Sequence, residues 1–181
     1  MSYTENMKKL IYIISVLFTT FLLFSCDSTF ELLAQKEKSI KMDLHKDILV
    51  TTCRNGFYND KEYKKSGKKT TAAIQNKLRP YASTVSVTEE DSFEKINKDK
   101  LLNCDYVIVP DLFLWEDRAT NLSFLPDKMI IALTVYDNTG NMLNRIEIKG
   151  ESTKATVATN DPIDLVNEAM DMYIRQLFNL Y

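Results

Sequence analysis

Four consecutive residues, Trp115, Glu116, Asp117 and Arg118, combine the only tryptophan of the chain with two carboxylates and a guanidinium. On a strand, side chains alternate between faces, so Glu116 and Arg118 share one side while Trp115 and Asp117 share the other. Such a set is equipped to bind a ligand or a protein partner. The bland alternative, and the one the sequence favours, is a structural ion pair fixing the exit of a strand into a loop. A second cluster, Lys61, Lys64, Lys65, Lys68 and Lys69, surrounds Ser66 and Gly67. At the start of a helix, free N–H groups and the helix dipole favour anions, which suits lipid headgroups or an anionic envelope polymer. A solvated loop has the same composition. The segment is not a phosphate-binding loop, because position 62 is Glu62 and no Gly-Lys-Ser/Thr occurs.

For catalysis the chain offers few reagents. His45 is the single histidine and precedes the folded region, which removes histidine-based triads from that region and histidine-rich metal sites altogether. Cys53 and Cys104 have no general base that the sequence places beside them. Glu116 and Asp117 are neighbours on a strand, point apart, and cannot flank one glycosidic bond. The sequence therefore leads us to expect no catalytic residue, no metal, no cofactor and no nucleotide.

The N-terminus carries a different kind of signal. Lys8 and Lys9 precede residues 11–24, where Ser15, Thr19 and Thr20 are the only polar interruptions. A positive start followed by an apolar stretch is the pattern of an export signal, and Met7 offers an alternative start. As a helix this stretch rises about 21 Å, short of the roughly 30 Å hydrocarbon core. Leu23-Phe24-Ser25-Cys26 then resembles the lipobox of bacterial lipoprotein signals, with Phe24 bulkier than the usual residue. That resemblance implies a signal peptide over residues 1–25, cleavage before Cys26 and acyl chains on its thiol and new amine. The protein would then be fixed to an envelope membrane and face the periplasm, two or more chains sufficing for stable attachment. Asp27 leaves the choice of inner or outer membrane open.

Removal of residues 1–25 from 181 leaves 156, and loss of Lys8, Lys9 and Glu5 takes the charge balance from 23 against 25 to 21 against 24, or −3. This size suits one domain. The balance gives no pull toward nucleic acid. Residues 26–45 are polar and lysine-rich around a brief apolar patch, Phe30, Leu32, Leu33 and Ala34. They read as a lipidated tether with one or two helical turns, reaching roughly 60 Å when extended.

The folded region occupies 46–181. Residues 48–53 form a β-branched apolar run that suits a buried strand. Ser66 is placed to cap a helix to about Arg79, on which Thr70, Ile74 and Leu78 recur at helical spacing. Val85 and Val87 mark an alternating strand; Ser92 is placed to cap a shorter helix that turns Phe93 and Ile96 inward. A strand begins at Tyr106 and is interrupted by Pro110, which implies a bulge or an edge position. Strands 129–136 and 142–149 meet across a turn with Gly140 where a positive φ is needed. Asp161 is placed to cap a last helix with Pro162 at its first position and Val166, Ala169, Tyr173, Leu177 and Leu180 as its apolar stripe. The order β-α-β-α-β-β-β-α predicts an α/β (α+β) fold, a single small mixed sheet of about five strands with helices packed on it. Cys53 and Cys104 fall at opposite ends of their strands and are expected to be two buried thiols.

Several of these residues carry a family resemblance. Residues 105–110, the run Trp115-Glu116-Asp117-Arg118-Ala119-Thr120, Pro126-Asp127 and Asp161-Pro162-x-Asp164-Leu165 resemble an uncharacterised set of bacterial lipoproteins, domain-of-unknown-function family 4823. Gly56-x-Tyr58, Tyr63 and Ser66-Gly67-x-x-Thr70 resemble the first loop of the same family. This chain departs where relatives carry Trp followed by Phe-Gly-Gly, having Lys154 and Val157-Ala158-Thr159 instead. The family implies no known activity. The expectation is a membrane-anchored, non-catalytic envelope module for interaction or assembly, with an envelope protein as partner. The alternative is a lipoprotein that captures a small envelope molecule or anionic glycan near Trp115 and the lysine loop. A closed pocket containing Trp115 would favour ligand capture, and an exposed strand edge would favour a protein partner.

Overall fold

The computed structural model describes residues 28–34, 40–117, 126–152 and 161–180. Its strands in chain order are β1 (Ser28–Ala34), β2 (Asp47–Thr51), β3 (Phe57–Tyr58), β4 (Lys61–Glu62), β5 (Thr84–Thr88), β6 (Tyr106–Glu116), β7 (Lys128–Asp137) and β8 (Met142–Ser152). The α-helices are α1 (Ser66–Leu78), α2 (Lys98–Leu102) and α3 (Asn167–Leu177), and 3-10 turns occupy Phe93–Lys95 and Pro162–Val166. Six strands form a mixed sheet in the order β1-β8-β7-β6-β2-β5, and β3 pairs with β4 in a separate hairpin. Parallel pairing of β2 with both β5 and β6 follows from the helical crossovers between them, while β6, β7, β8 and β1 pair antiparallel.

Binary pattern sets which face is buried. Met129, Ile131, Leu133 and Val135 alternate along β7, and Ile146 and Ile148 along β8, all on the side covered by α1 and α3. Ile74 and Leu78 of α1 and Met170, Ile174 and Leu177 of α3 fill that layer. The opposite face carries a smaller cluster, Leu49, Val107 and Val109 under Ile96 and Cys104, with Phe93 and Tyr136 stacked at 4.8 Å. Asp137 holds the β7–β8 turn by accepting the Thr139 and Asn141 N–H groups, each at 2.9 Å, and Gly140 has φ +94°.

The mixed α+β fold is as expected, but the sheet has a sixth strand. Residues 28–34 are β1, antiparallel to β8 from Ser28↔Ser152 to Ala34↔Ile146, instead of a helical turn in a tether. Phe30 and Leu32 alternate and pack against the main core, which is why the segment is extended. Three helix starts also differ. Lys65, in the left-handed region at φ 74°, precedes α1, and the Ser66 hydroxyl accepts the Gly56 N–H at 2.8 Å instead of capping. The Asn55 side chain takes over, its Oδ1 accepting the Gly67 N–H at 3.2 Å. After Ser92 the chain makes only a 3-10 turn; the capped helix is α2, where Asn97 Oδ1 accepts the Lys100 N–H at 2.9 Å. Asp161 gives its carboxylate to Lys69, and Pro162 opens a 3-10 turn before α3. Pro110 pairs with Leu133 beyond the last β2 partner, Ile108, so the edge reading holds and the bulge falls between Leu112 and Leu114.

α1 is pinned to the end of β2 by close backbone approach. A methyl group at Gly67 would stand 2.1 Å from the Cys53 carbonyl oxygen. Thr71 Oγ1 donates to the Gly67 carbonyl at 3.0 Å and accepts the Cys53 N–H at 2.9 Å. Gly67→Ala is expected to cost about 1–3 kcal/mol or more in urea unfolding. A variant as stable as wild type would show that this approach is not tight.

Candidate functional site

β2 and β6 run parallel, but β2 pairs with β6 only as far as Ile108, so β6 runs on past the end of β2 to Glu116 and leaves room beside it for the connection that follows β2. The loop leaving β2 folds into the β3–β4 hairpin and returns as α1, with the Tyr63 N–H donating to the Gly56 carbonyl at 3.0 Å. Gly56 rests on Trp115, where an added methyl would meet Trp115 Cβ at 2.5 Å. Tyr63 reaches over to donate to the Asp117 carbonyl at 3.5 Å. Two clusters separated by some fifty residues in sequence are thereby joined at one pole of the molecule.

Within that pole the side chains divide by exposure. Trp115 is 3 % exposed and belongs to the main core, while Glu116, 2 % exposed, lies on the opposite side of β6 as alternation requires. Ser66 and Gly67 are buried. Asp117, Lys64, Lys65 and Lys68 are exposed. Lys61 lies over the Tyr63 ring at 4.3 Å, and Lys69 pairs with Asp161. Lys64, Lys65 and Lys68 have no ion-pair partner among the described residues. Arg118, and with it the expected pairing to Glu116, lies outside the described residues, as do Cys26, Lys154 and Val157-Ala158-Thr159.

Two clefts are lined by other residues. One, of about 340 Å³, is lined by Thr29, Glu31, Leu114, Lys128, Ile130 and Lys149 among others. It owes one wall to β1, so no motif in the sequence announces it. The other, of about 260 Å³, lies beside Ser86, Asn97, Lys100 and Cys104. Trp115 lines neither. Among the described residues no group of three His, Cys, Asp or Glu side chains is placed to hold a metal ion.

Both cysteines of the folded region are free and buried. Burial pushes the Cys53 thiol up to about 12, reinforced by the negative charge of Asp111. The Cys104 thiol is raised chiefly by burial as well, and its Sγ donates to the Leu101 carbonyl at 3.6 Å. A thiol held protonated is a poor nucleophile.

The family model described as domain of unknown function DUF4823 matches residues 40–177. The chain belongs to this family. β1 precedes the matched region of this DUF4823 chain. A comparison with curated protein sequences finds no match. Among solved structures, a PelC dodecamer variant from Paraburkholderia phytofirmans aligns with TM-score 0.56 and 11% identity over 80% of this chain and 95% of that one. The PelC dodecamer in a second crystal form gives 0.54 and 13% identity over 78% and 96%. At these identities the likeness is one of fold.

Trp115→Ala is expected to lose about 3–5 kcal/mol of stability, as a core truncation does. Urea unfolding checks this; an unchanged midpoint would return Trp115 to the surface. Both thiols should resist modification in the folded protein at mildly alkaline pH. Between about pH 9 and 12 the unfolded chain releases the Cys53 proton while the folded chain keeps it, so stability should fall as pH rises. In a Cys53→Ala variant that decline should be shallower.

Proposed function

We propose that this protein is a membrane-anchored bacterial lipoprotein that acts as a non-catalytic module for interaction or assembly in the cell envelope. The observation that carries this reading is the outer edge of β1. It terminates the six-stranded sheet, and no strand pairs with it among the described residues. An unpaired edge offers a row of backbone donors and acceptors to an incoming strand from a protein partner. Burial of Trp115 takes away the residue on which ligand capture was centred. The fold shared with PelC, a dodecamer in its crystals, supports assembly as a use for this architecture.

The anchor is read from Lys8, Lys9, the apolar stretch and Cys26. Cys26→Ser should move the protein from the membrane fraction to the soluble fraction, and a lipoprotein signal-peptidase inhibitor should accumulate the precursor. Unaltered fractionation of Cys26→Ser would sink the anchor.

A second reading keeps ligand capture but moves it to the cleft of about 340 Å³ beside Lys128 and Lys149. A photo-cross-linker at Glu31, on β1, separates the two in cells. Protein adducts support the interaction module. No protein adduct, with a small molecule co-purifying instead, supports capture.

A further inference from the structure

We propose that the pole joining the β3–β4 hairpin to the start of α1 lies on the bilayer, its lysines against anionic phospholipid headgroups. The proposal rests on the anchor at Cys26 and names the surface that the anchor brings to the membrane.

Strand polarity supplies the first step. β2 and β6 run parallel, β8 runs in the same direction as β6 across β7, and β1 runs against β8. The start of β1 therefore lies at the end of the sheet where β6 and β8 finish. Register agrees, since Ser28 is opposite Ser152, Lys128 opposite Glu151, and Glu116 opposite Lys128. Cys26 is two residues before Ser28, a span of at most about 7 Å. A lipid on Cys26 leaves this pole no room to stand away from the headgroups.

Composition supplies the second step. β1 is separated from β6 by β8 and β7, about 14 Å at ordinary strand spacing. The hairpin beside β6 thus falls within the same contact area. On it Phe57 is 51% exposed, and Lys61, Lys64, Lys65 and Lys68 are exposed against Asp60 and Glu62. Neighbouring charges are already paired, Lys69 with Asp161 and Lys128 with Glu151. An exposed aromatic ring flanked by unpaired lysines is the composition of a membrane interface, where the ring enters the headgroup layer and the amines meet phosphate. Leu102 precedes β6, at the opposite pole, and is 80% exposed. In this orientation it faces away from the bilayer.

The test uses the lipidated protein purified from bacterial membranes. An environment-sensitive fluorophore is attached through Phe57→Cys or Leu102→Cys, the native thiols being buried. Each form is reconstituted into vesicles of phosphatidylcholine with phosphatidylglycerol, with and without a lipid-borne quencher. The expected result is loss of emission at position 57 and none at position 102. Changing Lys61, Lys64, Lys65 and Lys68 to Gln should reduce the loss at 57 while the protein still floats with the vesicles. Hydrogen exchange on the unsubstituted protein provides a second measurement, slower over residues 57–68 on these vesicles than on phosphatidylcholine alone. Protein that floats but shows no quenching at 57 and no slowing overturns the placement and leaves the anchor standing. Protein that fails to float overturns the anchor, and the placement with it.

Discussion

Burial of one face of the sheet is the constraint on which the rest of this molecule depends. Side chains repeat every second residue, so a slip of β7 by one position would exchange Met129, Ile131 and Leu133 for Lys128, Ile130 and Ala132 on the covered side. With the register of β7 fixed, β6 and β8 on its flanks are fixed too. β6 then extends beyond the last residue of β2, and the loop that leaves β2 is laid along the second half of β6. The stacking of Gly56 on Trp115 and of Gly67 on the Cys53 carbonyl is a local consequence of that arrangement.

Much of this was legible in local pattern. The β7–β8 hairpin declares itself by alternation and by Asp137, Thr139 and Gly140 in the turn. The apolar stripes of α1 and α3 follow from spacing, and the helical crossovers imply parallel strands. β1 was not legible, because Phe30 and Leu32 alternate in a stretch where Leu33 and Ala34 blur the period and lysines crowd the flank. Its partner, β8, lies far away in sequence; Thr29 Oγ1 meets the Glu151 carbonyl across 122 residues. Helix starts were misplaced for a related reason. Ser66 and Asp161 have the chemistry of caps but are drawn to Gly56 and Lys69, contacts that only the tertiary structure supplies.

The candidate site shows the same division. Residue type located Trp115, Glu116 and the lysines. Alternation along β6 correctly put Trp115 and Glu116 on opposite faces. What type and spacing could not convey is that Trp115 belongs to the core, or that Tyr63 bridges to Asp117 and fuses two clusters into one surface. Cys53 and Cys104 were expected to be separate buried thiols, and they are.

The pairing of β1 with β8 also bears on how the chain is made. Contacts between distant segments close large loops and form after local ones. Among the described residues, the first strand in sequence thus has to wait for the last. While the ribosome delivers the polypeptide in order, residues 28–34 have no partner strand until β8 emerges, and docking of β1 completes the sheet.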